Sequence, residues 1–204
     1  MKLYYAPGAC SIGIHVLLNE IGKPFETEKA NLQVPVAERP LTQVNAKSKV
    51  PTLVRDDGSV LTEFPAIAYY LAATNPDKHL MPGDTESQVR ALETMDFCVS
   101  TMHMQGFSRL FRPANYSPNE ADHDKVKARG HEIIEKGFAL LDKALDGRDY
   151  VAGPFSVADA ALFYVEFWGA DRMKMTLPDT LAGHFARMKA RPAVAKTLQE
   201  EGFA

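Results

Sequence analysis

The chain has 204 residues, 46% of them apolar and 24% charged, which is enough to bury one large core or two small ones. Its 23 Lys and Arg nearly balance 26 Asp and Glu, and the net charge of -3 argues against nucleic acid or an anionic membrane as a partner, so any anionic ligand must be held by local groups. No apolar run approaches the roughly 20 residues that span a bilayer, and the opening Met1-Lys2-Leu3-Tyr4-Tyr5 lacks a signal-peptide core, so the cytoplasm is the expected compartment.

In chain order, residues 2–5 read as a short strand. Ala6-Pro7-Gly8-Ala9 then turns the chain into a helix with Ile12, Val16, Leu17 and Ile21 at helical spacing. Gly22, with Pro24 two residues on, stops it. Residues 25–30 alternate as a second strand, so the chain opens with a strand-helix-strand unit and a parallel pairing. After a weakly helical stretch at 34–45, two strands at 51–55 and 59–62 flank Asp56-Asp57-Gly58, a hairpin signal. A third helix starts at Phe64-Pro65, where proline is tolerated in the first turn, and runs to about Ala73. This order predicts an α/β, thioredoxin-like domain over 1–76.

Pro76, Pro82 and Gly83 interrupt the periodicity between 74 and 84, which suits a surface linker at 77–84, and from 85 to 204 the chain reads as an all-α domain. Long helices are expected at 86–111 and 120–145, then shorter ones from Ser156, Asp179 and Pro192. Ser156 and Asp159, three apart, have the spacing of a capping box and are read as structural. Cys10 and Cys98 lie far apart with no CxxC pair, so thiols rather than a disulfide are expected, and no metal site.

The strongest chemical signal is a strand, then Pro7-Gly8-Ala9-Cys10-Ser11, then a helix. Unpaired N–H groups and the positive dipole end at a helix start favour a thiolate, from Cys10 or from a ligand; a small buried side chain is the alternative. Ser11 can donate to the same sulfur or serve as an N-cap. Tyr5, ending the first strand, faces either a ligand at the strand's C-terminal mouth or the core. At Val50-Pro51 a cis bond is expected, with the Val50 backbone available to an extended peptide. Glu63 precedes a helix start: it can attract an ammonium while the Phe64 N–H meets a carboxylate, or simply favour its own helix. Asp96, Ser100 and His103 fall at i, i+4 and i+7, a polar stripe that either is solvated or walls a cleft where His103 can exchange protons.

Residues 4–11, the run Asn45-Ala46-Lys47-Ser48-Lys49-Val50-Pro51-Thr52-Leu53, Leu61-Thr62-Glu63, Gly106-Phe107, Leu110-Phe111-Arg112-Pro113 and residues 155–160 together resemble the bacterial beta class of glutathione transferases. The resemblance covers essentially the whole chain. It implies the two-domain glutathione transferase fold, glutathione as co-substrate with no metal, and Cys10 beside the glutathione sulfur, with Tyr5, Ser11 and His103 in the catalytic set. Val50 with Pro51 would pair with the peptide, and Glu63 and Phe64 would hold the γ-glutamyl end. Asp96 and Gln105 join the glutathione-binding set. The resemblance also implies a homodimer, conjugation to small hydrophobic electrophiles, and thiol-disulfide exchange through Cys10.

Three features depart from the family pattern. Phe64 stands where serine or glycine is usual, leaving only its backbone N–H to serve. His103-Met104-Gln105-Gly106 carries one residue more than the family's histidine, base, Gly-Phe and lacks the base. No lysine follows the second strand to meet the glycine carboxylate, which leaves Arg39 or Lys49 as substitutes. These departures are the support for a rival reading, a non-catalytic ligand carrier or stress-related interaction protein on the same scaffold.

Overall fold

In a computed structural model the described residues are 1–145 and 147–203, and they form two compact units: Met1–Gly83 with Arg187–Ala204, and Asp84–Ala186. The first unit holds β1 (Lys2–Tyr5), α1 (Ser11–Ile21), β2 (Glu26–Lys29), a short helical turn α2 (Leu41–Val44), β3 (Thr52–Val54), β4 (Val60–Thr62) and α3 (Phe64–Ala73). The sheet order is β2-β1-β3-β4, with β1 and β2 parallel and the other two pairings antiparallel. This is the thioredoxin-like arrangement expected of the sequence.

Local chemistry explains the boundaries. α1 ends at Gly22, whose φ of 75° is left-handed and whose N–H reaches the Leu18 carbonyl. Gly58 (φ 80°) turns the β3–β4 hairpin, setting Thr52 opposite Thr62 and Leu53 opposite Leu61. Leu3 and Leu53, paired across the sheet, are wholly buried. Ile12, Ile14, Val16, Leu17 and Leu18 bury α1 on every side, as befits a helix touching the sheet and further helices.

One of those helices comes from the far end of the sequence. The last helix, α9 (Pro192–Glu201), lays Val194 and Leu198 into the first unit against α1. Asn19 donates to Thr197 at 2.9 Å, and Arg191 pairs with Glu20 at 2.6 Å. The sequence division assigned 85–204 whole to the helical domain; by packing, residues 187 onward go with the first unit. An amphipathic helix announces that it will be covered, not by what.

The second unit comprises α4 (Thr85–Asp96), α5 (Ser108–Phe111), α6 (His123–Leu145), α7 (Val157–Phe167) and α8 (Asp179–Lys189) as far as Ala186. The sequence predicted one α-helix over 86–111. The chain does stay helical to Phe111, but Phe97–Phe107 is wound as a π-helix, with the Ser108 N–H reaching the His103 carbonyl. Trp168–Arg172, after α7, is a second π-helical stretch. α6 approaches the first of these closely because Gly130 and Gly137 face it: a Cβ on Gly137 would lie 1.9 Å from Met102 Sδ. α7 is buried along its whole length and starts with the expected capping box at Ser156 and Asp159. No described helix is long and apolar enough to cross a membrane.

Candidate active site

Cys10 occupies the N-cap position of α1, 9% exposed, where the chain leaves β1. Its thiol points at the Val50 carbonyl, Sγ to O 3.5 Å, and the Val50–Pro51 peptide is cis as the sequence reading expected. Two segments forty residues apart are thereby brought to one spot, at the end of α1 where backbone N–H groups lack intrahelical partners.

Ser11 is not the N-cap of α1. It lies one residue inside the helix rather than capping it, is fully buried, and exchanges hydrogen bonds with Ala6: its Oγ accepts from the Ala6 N–H at 3.2 Å and donates to the Ala6 carbonyl at 3.4 Å. The hydroxyl braces the turn that carries Cys10.

Tyr5, at the end of β1, packs its ring 5.4 Å from His15. Burial, followed by the charges of Glu201 and Glu200, pushes the phenol above the ordinary tyrosine range, so at neutral pH it is a neutral donor. His15 is not among the candidates the sequence offered; its signal is a histidine set within the apolar run from Ile12 to Leu18. It is buried, with Nδ1 3.0 Å from Glu201 Oε1. Its Nε2 is 3.0 Å from Glu200 Oε2 but aligned too poorly for a hydrogen bond. The other Glu201 oxygen accepts from the Gly8 N–H at 2.8 Å, so the last turn of α9 holds the loop before Cys10.

Glu63 precedes α3 with φ 72°, a left-handed conformation that non-glycine residues rarely adopt and that tends to persist at ligand clamps. Its side chain does not cap the helix; Oε1 meets Lys47 Nζ at 2.6 Å. The Phe64 ring is buried at 4% exposure, which leaves the backbone at this helix start as its contribution. Arg39 donates to the carbonyls of Val34, Leu32 and Ser48. Its guanidinium is spent on shaping the 32–48 loop. Lys49 is exposed and makes no ion pair among the described residues.

Asp96, His103 and Gln105 lie in the second unit. Asp96 and Gln105 are exposed. His103 is half-buried, edge-on to Trp168 at 4.7 Å and to Tyr164 at 5.9 Å, beside a cluster in which Phe107 stacks on Phe111. The stripe from Asp96 to His103 assumed a period of 3.6; π-helical turns advance each side chain through a smaller angle, so i and i+7 no longer align. No group of three or more His, Cys, Asp or Glu among the described residues is arranged to hold a metal.

Comparison with known proteins decides the family. Residues 8–74 match the family described as glutathione S-transferase, N-terminal domain. The chain is 35% identical to the glutathione S-transferase GstA of Escherichia coli O157:H7, over 99% of each chain. It is a glutathione transferase. A sphingomonad glutathione S-transferase solved with glutathione is 36% identical, covers all of both chains and superposes with a TM-score of 0.86. The beta class transferase of Sphingomonas chungbukensis gives 32% identity, full coverage and 0.85. The resemblance to the bacterial beta class read from the motifs therefore extends over the whole of this transferase.

Proposed function

We propose that this transferase binds glutathione along the first unit with the tripeptide sulfur at the N-terminus of α1, and transfers it to small hydrophobic electrophiles. The observation that carries the reading is Cys10 at the start of α1 with its Sγ 3.5 Å from the Val50 carbonyl. A thiol held there meets the positive end of the helix, which favours its anion, the attacking species. In conjugation the glutathione thiolate forms the new C–S bond and the leaving group departs with its electron pair. The Tyr5 phenol, held protonated, serves as the hydrogen-bond donor to the sulfur. His103 serves as the proton-exchanging group of the second unit, with Asp96 and Gln105 in the glutathione-binding set.

Along the tripeptide, Val50 supplies backbone pairing and Glu63 with the Phe64 N–H receives the γ-glutamyl head group. Lys49 takes the glycine carboxylate in place of the missing lysine, because Arg39 already serves three carbonyls. Exposed Val89 and Leu92 on α4 support a homodimer. Cysteines kept as thiols rather than a disulfide fit a reducing, cytoplasmic setting.

A cysteine at the helix start also supports disulfide exchange. The Cys10 thiolate attacks the glutathione sulfur of a mixed disulfide and expels the other thiolate; a second glutathione thiolate then attacks the Cys10–glutathione bond, giving oxidised glutathione and restoring Cys10. Conjugation to a chlorinated nitroaromatic and reduction of a mixed disulfide, measured in wild type and Cys10→Ala, test both activities. Loss of the reductase alone is expected; equal loss of both refutes the division of labour. Failure of the wild-type protein to bind a glutathione resin or to turn over either substrate favours the non-catalytic carrier.

A further inference from the structure

The most heavily buried ionisable cluster among the described residues lies in the second unit. His184 on α8 is fully buried between two carboxylates of α7, themselves fully buried. Its Nδ1 lies 2.9 Å from both Glu166 oxygens, and its Nε2 lies 3.2 Å from Asp159 Oδ1. Asp159 has further partners: Oδ1 accepts from the Val151 N–H at 2.8 Å, and Oδ2 accepts from the Ser156 N–H at 2.7 Å and its hydroxyl at 3.0 Å. Glu166 has His184 as its sole hydrogen-bond partner among the described residues. Around the cluster stand Tyr150, whose ring meets His184 edge-on at 6.0 Å, and Cys98 of the first π-helical segment, buried and within the field of Glu166 and Asp159. No Lys or Arg pairs with any of the three among the described residues.

The charge count makes the arrangement unusual. One imidazolium against two carboxylates leaves a net charge of -1 in a dry interior, a costly state unless it is relieved by a proton. Asp159 is held as an acceptor by three N–H and O–H donors besides the histidine, so Glu166 is the group able to take that proton. We propose that Glu166, His184 and Asp159 form a proton-operated latch between α7 and α8, neutral and tight when Glu166 is protonated, loosened when it ionises.

The titration directions agree. Burial raises Glu166 from 4.5 to about 7, against the opposing pull of His184. Desolvation opposes the imidazolium, but Glu166 and Asp159 outweigh it and raise His184 from 6.5 to about 9. Both folded-state values exceed their unfolded ones. The Glu166 contribution is thus full below 4.5 and lost as pH rises through about 7, and the His184 contribution is full below 6.5 and lost through about 9.

Carbon-detected NMR of side-chain carboxyls in the full chain tests this without a mutation: one glutamate carbon should titrate near neutrality. Glu166→Gln, which mimics the protonated form, should remove that signal, flatten the fall of the melting temperature as pH rises from 4.5 to about 7, and raise it above wild type on the alkaline side of that window. The proposal is overturned if every wild-type glutamate carbon titrates in the ordinary carboxylate range, or if variant and wild type lose melting temperature in parallel.

Discussion

Asp159 serves several donors of the second unit with a single carboxylate, and removing it makes a sharp test. One oxygen accepts from the Val151 N–H and approaches His184 Nε2, and the other closes the capping box with Ser156. Asp159→Ala leaves two buried backbone N–H groups without acceptors, at about 1–3 kcal/mol each, so the loss should be about 2–6 kcal/mol. Asp159→Asn keeps one carbonyl oxygen but turns an NH2 toward a donor on one side, and should fall between. Ser156→Ala removes the hydroxyl that accepts from the Ala158 N–H and should cost about 1 kcal/mol. Against a total stability of about 5–15 kcal/mol, the alanine variant at 159 approaches the folding threshold while that at 156 does not. Urea unfolding at fixed pH should rank Ser156→Ala, Asp159→Asn and Asp159→Ala in rising order of loss. If Asp159→Ala loses no more than Ser156→Ala, the carboxylate is not the acceptor of these N–H groups and the reasoning fails.

Other expectations follow from the first unit and its neighbours. Glu63→Gly relieves a left-handed backbone, so the melting temperature should rise while the KM for glutathione also rises; a fall in both would refute a strained clamp. Lys49→Ala should raise that KM several-fold and leave kcat nearly unchanged, whereas Arg39→Ala, which strips three carbonyls of their donor, should lower stability as read by denaturant titration. The Tyr5 phenol should ionise above the ordinary range in wild type, and Glu201→Gln should lower it because a repelling charge is removed; phenolate absorbance against a Tyr5→Phe background reads this directly. Gly137→Ala should destabilise by about 1–3 kcal/mol through overlap with Met102, and a Met102→Ala double mutant should recover part of the loss.

What could be read from the residues divides along a physical line. Signals contained within a few neighbours survived folding: Asp56-Asp57-Gly58 made its hairpin, Gly22 ended α1, and Ser156 with Asp159 made their box. The topology followed because strand and helix periods differ. Choices among competing partners, near or distant, were not legible. Ser11 turned to the Ala6 backbone instead of capping, and His15 found Glu201, 186 residues away. The π-helical winding of Phe97–Phe107 was hidden because apolar residues recur there closely enough to satisfy a 3.6 period.

Because α9 completes the unit that begins at Met1, that unit cannot reach its final packing until residues 84–186 have been synthesised. The thiol-bearing loop at Gly8 therefore waits for a carboxylate made almost two hundred positions later. An enzyme so assembled exposes no finished thiol site on a half-made polypeptide, and damage near its tail is felt at its head.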